Sequence, residues 1–381
     1  MRGCRVKRAW AGMLAVPAFL TILFGSAARG DEPNADRPAA KARPARELLS
    51  AEQWQRLDQS VDRGLEFLAS VQQPDGSFDA PTQAQPGITA LCVLAFLSRG
   101  HLPHEGKHGD KLDRAIAFVL GTQRENGLLF HLPVEGKIWP DDRQKTGAYN
   151  HAIAGLMLSE VYGMTPAGTP DRIGEAIRAA IKFTRGEQRR DRAPPLDQGG
   201  WRYLVLDAGN RNQSDMSVTS WQVMFLRSAR NAEFEVPVET IDAAMDYVRR
   251  AFDPRQETFS YGHLNLRPQT TRAMAGSGIL MLSFGGEHDT AIARTAGNWV
   301  LKLPFDDYNR SVRYGERYHY SAYYCSQAMF QLGGDYWTRF YPRFMNTLLE
   351  NQRRNGAWDA EADRDRWVGN TYTTALTILA L

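Results

Sequence analysis

Cysteine is scarce in this chain, with three among 381 residues. Cys4 lies in the first 30 residues, while Cys92 and Cys325 each stand in an apolar, helix-like stretch. Their spacing fits neither a disulfide framework nor a metal knuckle, so two buried, unpaired thiols are expected. No alternating apolar–polar stretch is long enough to make a sheet. Beyond the first 30 residues the positive charge is not clustered on any one segment, which gives nucleic acid nothing to bind. The one conspicuous apolar run, "AGMLAVPAFLTILFG", is too short and wrongly flanked for a comfortable membrane span.

That run has a different reading. The basic "MRGCRVKRAW" precedes it and the small residues of "SAARG" follow it, the order of a signal peptide over residues 1–30. Export to the periplasm or the medium is therefore expected, and membrane association would arise only if this segment stayed uncleaved. It carries five basic residues and no acid, leaving 41 basic against 43 acidic from Asp31 onward. Residues 31–47 are rich in Pro, Ala and charge without apolar period, and read as a flexible linker.

From residue 48 to 381 two kinds of segment alternate. One kind is amphipathic with a charged side, as in "LDQSVDRGLEFLASVQ" and "VETIDAAMDYVRRAF". The other is nearly uncharged, as in "GITALCVLAFLS" and "TRAMAGSGILMLSFGG", and so should be buried on most sides. Six alternations make twelve helices whose repeated units cover one another's faces. The last uncharged segment runs apolar to Leu381, which suits a closed ring better than an open solenoid. The expected fold is all-α: a single-domain (α/α)6 toroid of six outer and inner helix pairs.

The outer-to-inner connections repeat a motif. "RGLEFLASVQQPDGSF" places Gln72, Gly76 and Phe78 after Arg63-Gly64 and Phe67-Leu68. "RAIAFVLGTQRENGLL" repeats it with Gln123, Gly127 and Leu129, and "LLENQRRNGAW" with Gln352, Gly356 and Trp358. The third repeat keeps Gln188 but inserts residues before "QGGW", which should displace Trp201. Repeats four and five have Phe252 and Pro304 where the Gln belongs. Glycine allows the reversing turn, the amide serves free backbone groups at a helix end, and the aromatic ring packs over the joint. These roles are mechanical.

The pattern resembles the QW repeat of squalene-hopene cyclases, oxidosqualene cyclases and protein prenyltransferase β subunits, over essentially the whole predicted domain. The resemblance implies the toroid, and it implies places where chemistry should sit. The cyclases carry an Asp-x-Asp-Asp-Thr acid at an inner-helix head and hold substrate between two helical domains, whereas this chain has one. Aligned through Trp221, the three carboxylate places hold Asn212, Ser214 and Asp215, so the proton-donating Asp is replaced by Ser214. Asp215 is then the catalytic candidate that remains, and a helix N-terminus should favour its ionised form. The prenyltransferases bind zinc through Asp-x-Cys and a later His. Here Tyr323 precedes Cys325 by two, and His319 with Cys325 makes no ligand set. No metal or cofactor is implied. The internal-thioester segment of complement-type toroids is absent.

Two aspartate pairs precede inner helices, Asp141 with Asp142 and Asp306 with Asp307, and paired carboxylates suit glycoside chemistry or turn formation. Aromatic residues gather at inner-helix starts. Tyr149, Trp221, Tyr320, Tyr323, Tyr324 and Tyr372 are the candidate ligand-lining set, with Trp201, Tyr203, Tyr261 and Tyr318 nearby. The expected function is a toroid that holds an apolar or extended ligand, or a carbohydrate, in its central cavity, without the family's acid or zinc motif. The rivals are a divergent terpenoid cyclase or isomerase using Asp215, and a carbohydrate-active enzyme using the rim aspartates.

Overall fold

The computed structural model describes residues 48–131, 143–164, 170–190, 193–204, 213–262, 269–362 and 365–381. Outer helices are α1 (Ala51–Ser70), α3 (Gly109–Gly121), α5 (Pro170–Glu187), α7 (Val238–Arg250), α9 (Ala291–Leu301) and α11 (Gly334–Glu350). Inner helices are α2 (Gly87–Ser98), α4 (Arg143–Val161), α6 (Met216–Asn231), α8 (Arg272–Phe284), α10 (Tyr318–Leu332) and α12 (Asn370–Ala380). Each inner helix packs on the inner helices before and after it, and α12 returns to α2. In the outer layer α11 meets α1, so both layers close and the toroid expected from the alternation is present.

Burial follows the two sequence types. On α1 the buried residues recur as Leu57, Val61, Leu65 and Leu68, one stripe at helical spacing. On α2 every residue from Gly87 to Leu97 is buried. Each large apolar side chain taken from water this way stabilises the fold by about 1.5–3 kcal/mol. Cys92 and Cys325 are both buried and unpaired.

The Gln–Gly joint stitches neighbouring repeats. Gln72 Nε2 donates to its own turn at Gly76 O (3.1 Å) and to Lys111 O on α3 (2.8 Å). Gln123 does the same to Gly127 O and to Ala176 O on α5, at 3.2 and 2.8 Å. Gln352 donates to Gly356 O and to Ser60 O on α1, both at 2.8 Å, and so ties the last repeat to the first. The amide therefore serves the next outer helix rather than its own helix end. The glycines are required twice over. Gly356 sits at φ +90°, and a Cβ there would lie 2.1 Å from Arg63 O.

The third repeat differs from its sequence expectation. Gln188 Nε2 reaches Gly199 O (2.9 Å) and Thr240 O on α7 (2.8 Å), despite the insertion. Trp201 N donates to Thr219 Oγ1 on α6, as Phe78 N does to Thr89 and Trp358 N to Thr374. The extra residues loop out and Trp201 stays in register. Repeats four and five replace the amide. A two-residue ladder, β1 (Phe252–Asp253) with β2 (Thr258–Phe259), makes the fourth joint. In the fifth, the buried Arg272 guanidinium lies 3.8 Å from the Phe305 ring centroid and donates to Pro304 O (2.9 Å).

Candidate functional site at the heads of the inner helices

Asp215 is the N-cap of α6, with its Oδ1 accepting Val218 N at 2.7 Å. Its own N–H donates to Trp201 O (2.9 Å), and the next residue, Met216, donates to Tyr261 O (2.8 Å). The third and fourth connections thus clamp the head of α6 from two sides. Ser214 does not cap the helix. Its N–H and hydroxyl both bond Asp197, a buried residue of the third connection.

The carboxyl of Asp215 is fully buried. Burial pushes its pKa up to about 6, although Arg202 and the Val218 N–H pull the other way. The helix end favours the ionised form, as expected, but desolvation outweighs it. Arg202 Nη1 approaches Asp215 Oδ2 at 3.4 Å. Its guanidinium lies 5.0 Å from the Tyr203 ring centroid and 5.8 Å from that of Tyr261. The two tyrosine hydroxyls are hydrogen-bonded to each other. Burial opposes the Arg202 charge, but Asp215 and the two tyrosines outweigh it and raise its pKa.

A second hydrogen-bond chain runs beside the first. Tyr149 OH on α4 donates to Ser217 Oγ (2.9 Å), which is 2.7 Å from Tyr320 OH on α10. Trp221 Nε1 donates to the same Tyr320 oxygen at 3.0 Å. Burial pushes the Tyr320 phenol up to about 12. Because α8 stands between α6 and α10 in the inner layer, these contacts cross the interior of the ring. One turn deeper, Trp221 stacks on Tyr323 with centroids 5.5 Å apart and planes at 5°. Tyr324 meets Trp221 edge-on.

This geometry divides the expected aromatic set. Trp221, Tyr323 and Tyr324 are buried to 1% exposure or less and fill the interior at their level, so they are packing residues. Tyr149, Tyr203, Tyr261 and Tyr372 are half-buried and stand with Tyr320 at the mouth above them. The expected ligand-lining set therefore divides between the packed interior and the mouth. Arg317, at the N-cap of α10, is also here, bonded to Asp365 through Nε and Nη2. Although burial opposes its charge, Asp365 raises its pKa.

The other expected residues lie elsewhere. Asp306 and Asp307 are exposed, the first paired with Arg343 on α11 and the second with Arg310. That places Asp306 against the outer layer. Asp141, Asp142 and Asn212 lie outside the described residues. Cys325 Sγ donates to Arg272 O (3.1 Å), and burial raises its pKa. His319 lies beside Glu361, whose carboxylate accepts the N–H groups of Tyr318, His319 and Tyr320 at the head of α10. Arg202, Asp197, Arg317 and Glu361 were not foreseen. Arg202 follows Trp201 of the third joint directly, and that adjacency is the signal that points to it.

No family model and no curated protein matches the chain. Solved structures do, and they agree on the toroid. A variant of the type II terpene cyclase MstE from Scytonema, in complex with geranylgeranyl dihydroxybenzoate, is 15% identical, with 87% of this chain and 97% of that one covered at a TM-score of 0.58. D-mannose isomerase is 11% identical, covering 87% and 99%, with a TM-score of 0.57. A glycosidase variant in complex with glucose is 12% identical, covering 87% and 98%, with a TM-score of 0.55. The shared feature is the α/α toroid of terpene cyclases, isomerases and glycosidases. Fold alone does not choose among lipid and sugar chemistries.

Proposed function

We propose that the protein binds an apolar, isoprenoid-like ligand at the tyrosine mouth of the toroid. One observation carries this reading: Tyr149, Tyr203, Tyr261, Tyr320 and Tyr372 converge from five connections and helix heads onto a half-buried surface above a filled aromatic core. Rings with one polar end each offer apolar area and fixed hydroxyls. The apolar geranylgeranyl group in the MstE complex supports the same class of ligand. The test is titration of the full chain with geranylgeraniol, followed by tryptophan fluorescence, since Trp221 lies under Tyr320. Saturable quenching at micromolar concentration, weakened about tenfold in Tyr203→Ala, is expected. Quenching by glucose or mannose with none by geranylgeraniol overturns the reading.

A second reading has one observation in its favour. A buried carboxyl with a pKa of about 6 suits acid–base work near neutral pH. Against it, Asp215 is engaged by Val218 N, Arg202 and Tyr261, all of which favour the carboxylate. A divergent isomerase would lose turnover of an isoprenoid substrate in Asp215→Asn while keeping its binding. The basic, apolar and small-residue order of residues 1–30 supports export, which N-terminal sequencing of protein recovered outside the cytoplasm tests.

A further inference from the structure

Among the described residues of the mouth are Arg202 and Arg317, and they are matched to their surroundings differently. Arg317 gives Nε and Nη2 to Asp365 and Nη1 to Gly315 O. Arg202 makes only the long 3.4 Å approach to Asp215, and its buried Nε has no partner among the described residues. A buried guanidinium N–H without an acceptor forgoes the stabilisation of a charge-assisted hydrogen bond. Asp215, meanwhile, already accepts the Val218 N–H as the helix cap.

Arg202 is also held in place. Its side chain is 17% exposed, between the Tyr203 and Tyr261 rings that fix it from two sides. Arg189 lies close enough for Arg202 to repel its charge, and its guanidinium donates to the carbonyls of Gln213 and Glu187. Among the described residues the carboxylates that act on this pair are Glu187, Asp197 and Asp215, of which Glu187 and Asp197 act on Arg189 and Asp197 already accepts the Ser214 N–H. Among the described residues no carboxylate meets the Arg202 fork with both oxygens, the geometry a guanidinium fits best.

We infer that the ligand is an amphiphile: an apolar chain lies on the tyrosines and a carboxylate headgroup seats on Arg202. This rests on the apolar-ligand reading and names the headgroup that reading leaves open. The arginine supplies orientation, and the rings supply the apolar area.

The experiment compares all-trans-retinoic acid with retinol, which share a carbon skeleton and differ in the headgroup, at pH 7.5 on the full chain. The wild type is expected to bind the acid at least tenfold more tightly. Arg202→Gln should bring the acid down to the level of retinol and leave retinol unchanged, and Arg202→Lys should restore part of the preference. Arg202→Gln alone leaves Asp215 without its cation, so Arg202→Gln with Asp215→Asn serves if the single variant unfolds. Equal binding of acid and alcohol by the wild type overturns the headgroup assignment and leaves the apolar reading standing. Saturable binding of neither overturns both.

Discussion

Gln352, just beyond α11, and Ser60 on α1 meet across 292 positions of sequence, and their contact closes the toroid. The amide nitrogen bonds Ser60 O at 2.8 Å, while its oxygen accepts from Ser60 Oγ (2.8 Å) and Arg63 Nη2 (2.6 Å). Gln352→Ala strips partners from all of these groups. A loss of about 1–3 kcal/mol in unfolding free energy is expected, read from the urea midpoint at unchanged slope.

Gly199→Ala should cost more than the removal of any one glutamine. Gly199 has φ +88°, and a Cβ there would stand 1.9 Å from Ala243 O, a backbone atom of α7 that cannot rotate away. Destabilisation above about 3 kcal/mol is expected, which thermal unfolding of Gly199→Ala beside Gly186→Ala measures, since Gly186 has open space.

Asp215 makes stability fall as pH rises through an acidic window. Its folded pKa of about 6 lies above the usual 3.8, so the fold prefers the protonated acid. That preference is fully present below pH 3.8, is lost between there and pH 6, and is flat above. With about 1.4 kcal/mol per unit, the wild-type stability minus that of Asp215→Asn should drop by roughly 2.4 kcal/mol from pH 4 to pH 7. The groups that face the carboxyl are Arg202, Arg189, Tyr261, Tyr203, Tyr149, Tyr247 and Tyr320 with the Ser217 and Val218 N–H groups, and Asn preserves the cap. An unchanged difference across this range contradicts the burial of the acid.

His151 acts in the opposite sense. Its Nδ1 accepts Leu129 N (3.1 Å), the place Thr89, Thr219 and Thr374 fill in other repeats, and burial drives its pKa down to about 3. The neutral ring stabilises the fold fully above pH 6.5, and that contribution is lost as pH falls toward 3. Wild-type stability minus that of His151→Gln should fall by about 2 kcal/mol from pH 7 to pH 5, as measured by chemical unfolding at the two values.

The ring was legible because helix type and joint are local properties. Twelve segments of alternating polarity became α1 to α12, and Gln72, Gln123 and Gln352 marked three of the seams. Trp201 looked displaced because of the insertion after Gln188, yet Gln188 bonds Gly199 eleven residues on and Trp201 keeps its bond to Thr219. The mouth was legible only as a collection of aromatics. Which rings line it and which fill the interior depends on α6 and α10 facing each other across the ring, a relation no spacing along the chain carries. Asp197 with Ser214, and Glu361 with the head of α10, pair residues from irregular segments that have no period to read. The raised pKa of Asp215 comes from burial, which packing supplies and the residue type does not.

The most direct test of a tyrosine-mouth binding site is photolabelling of the full chain with a diazirine-bearing geranylgeraniol, followed by peptide mapping. Labels that geranylgeraniol competes away, on the peptides carrying Tyr149, Tyr203, Tyr261, Tyr320 or Tyr372, are the predicted result. Competable labels confined to the outer groove beside Leu301 and Arg339, or no competable label at all, would contradict it.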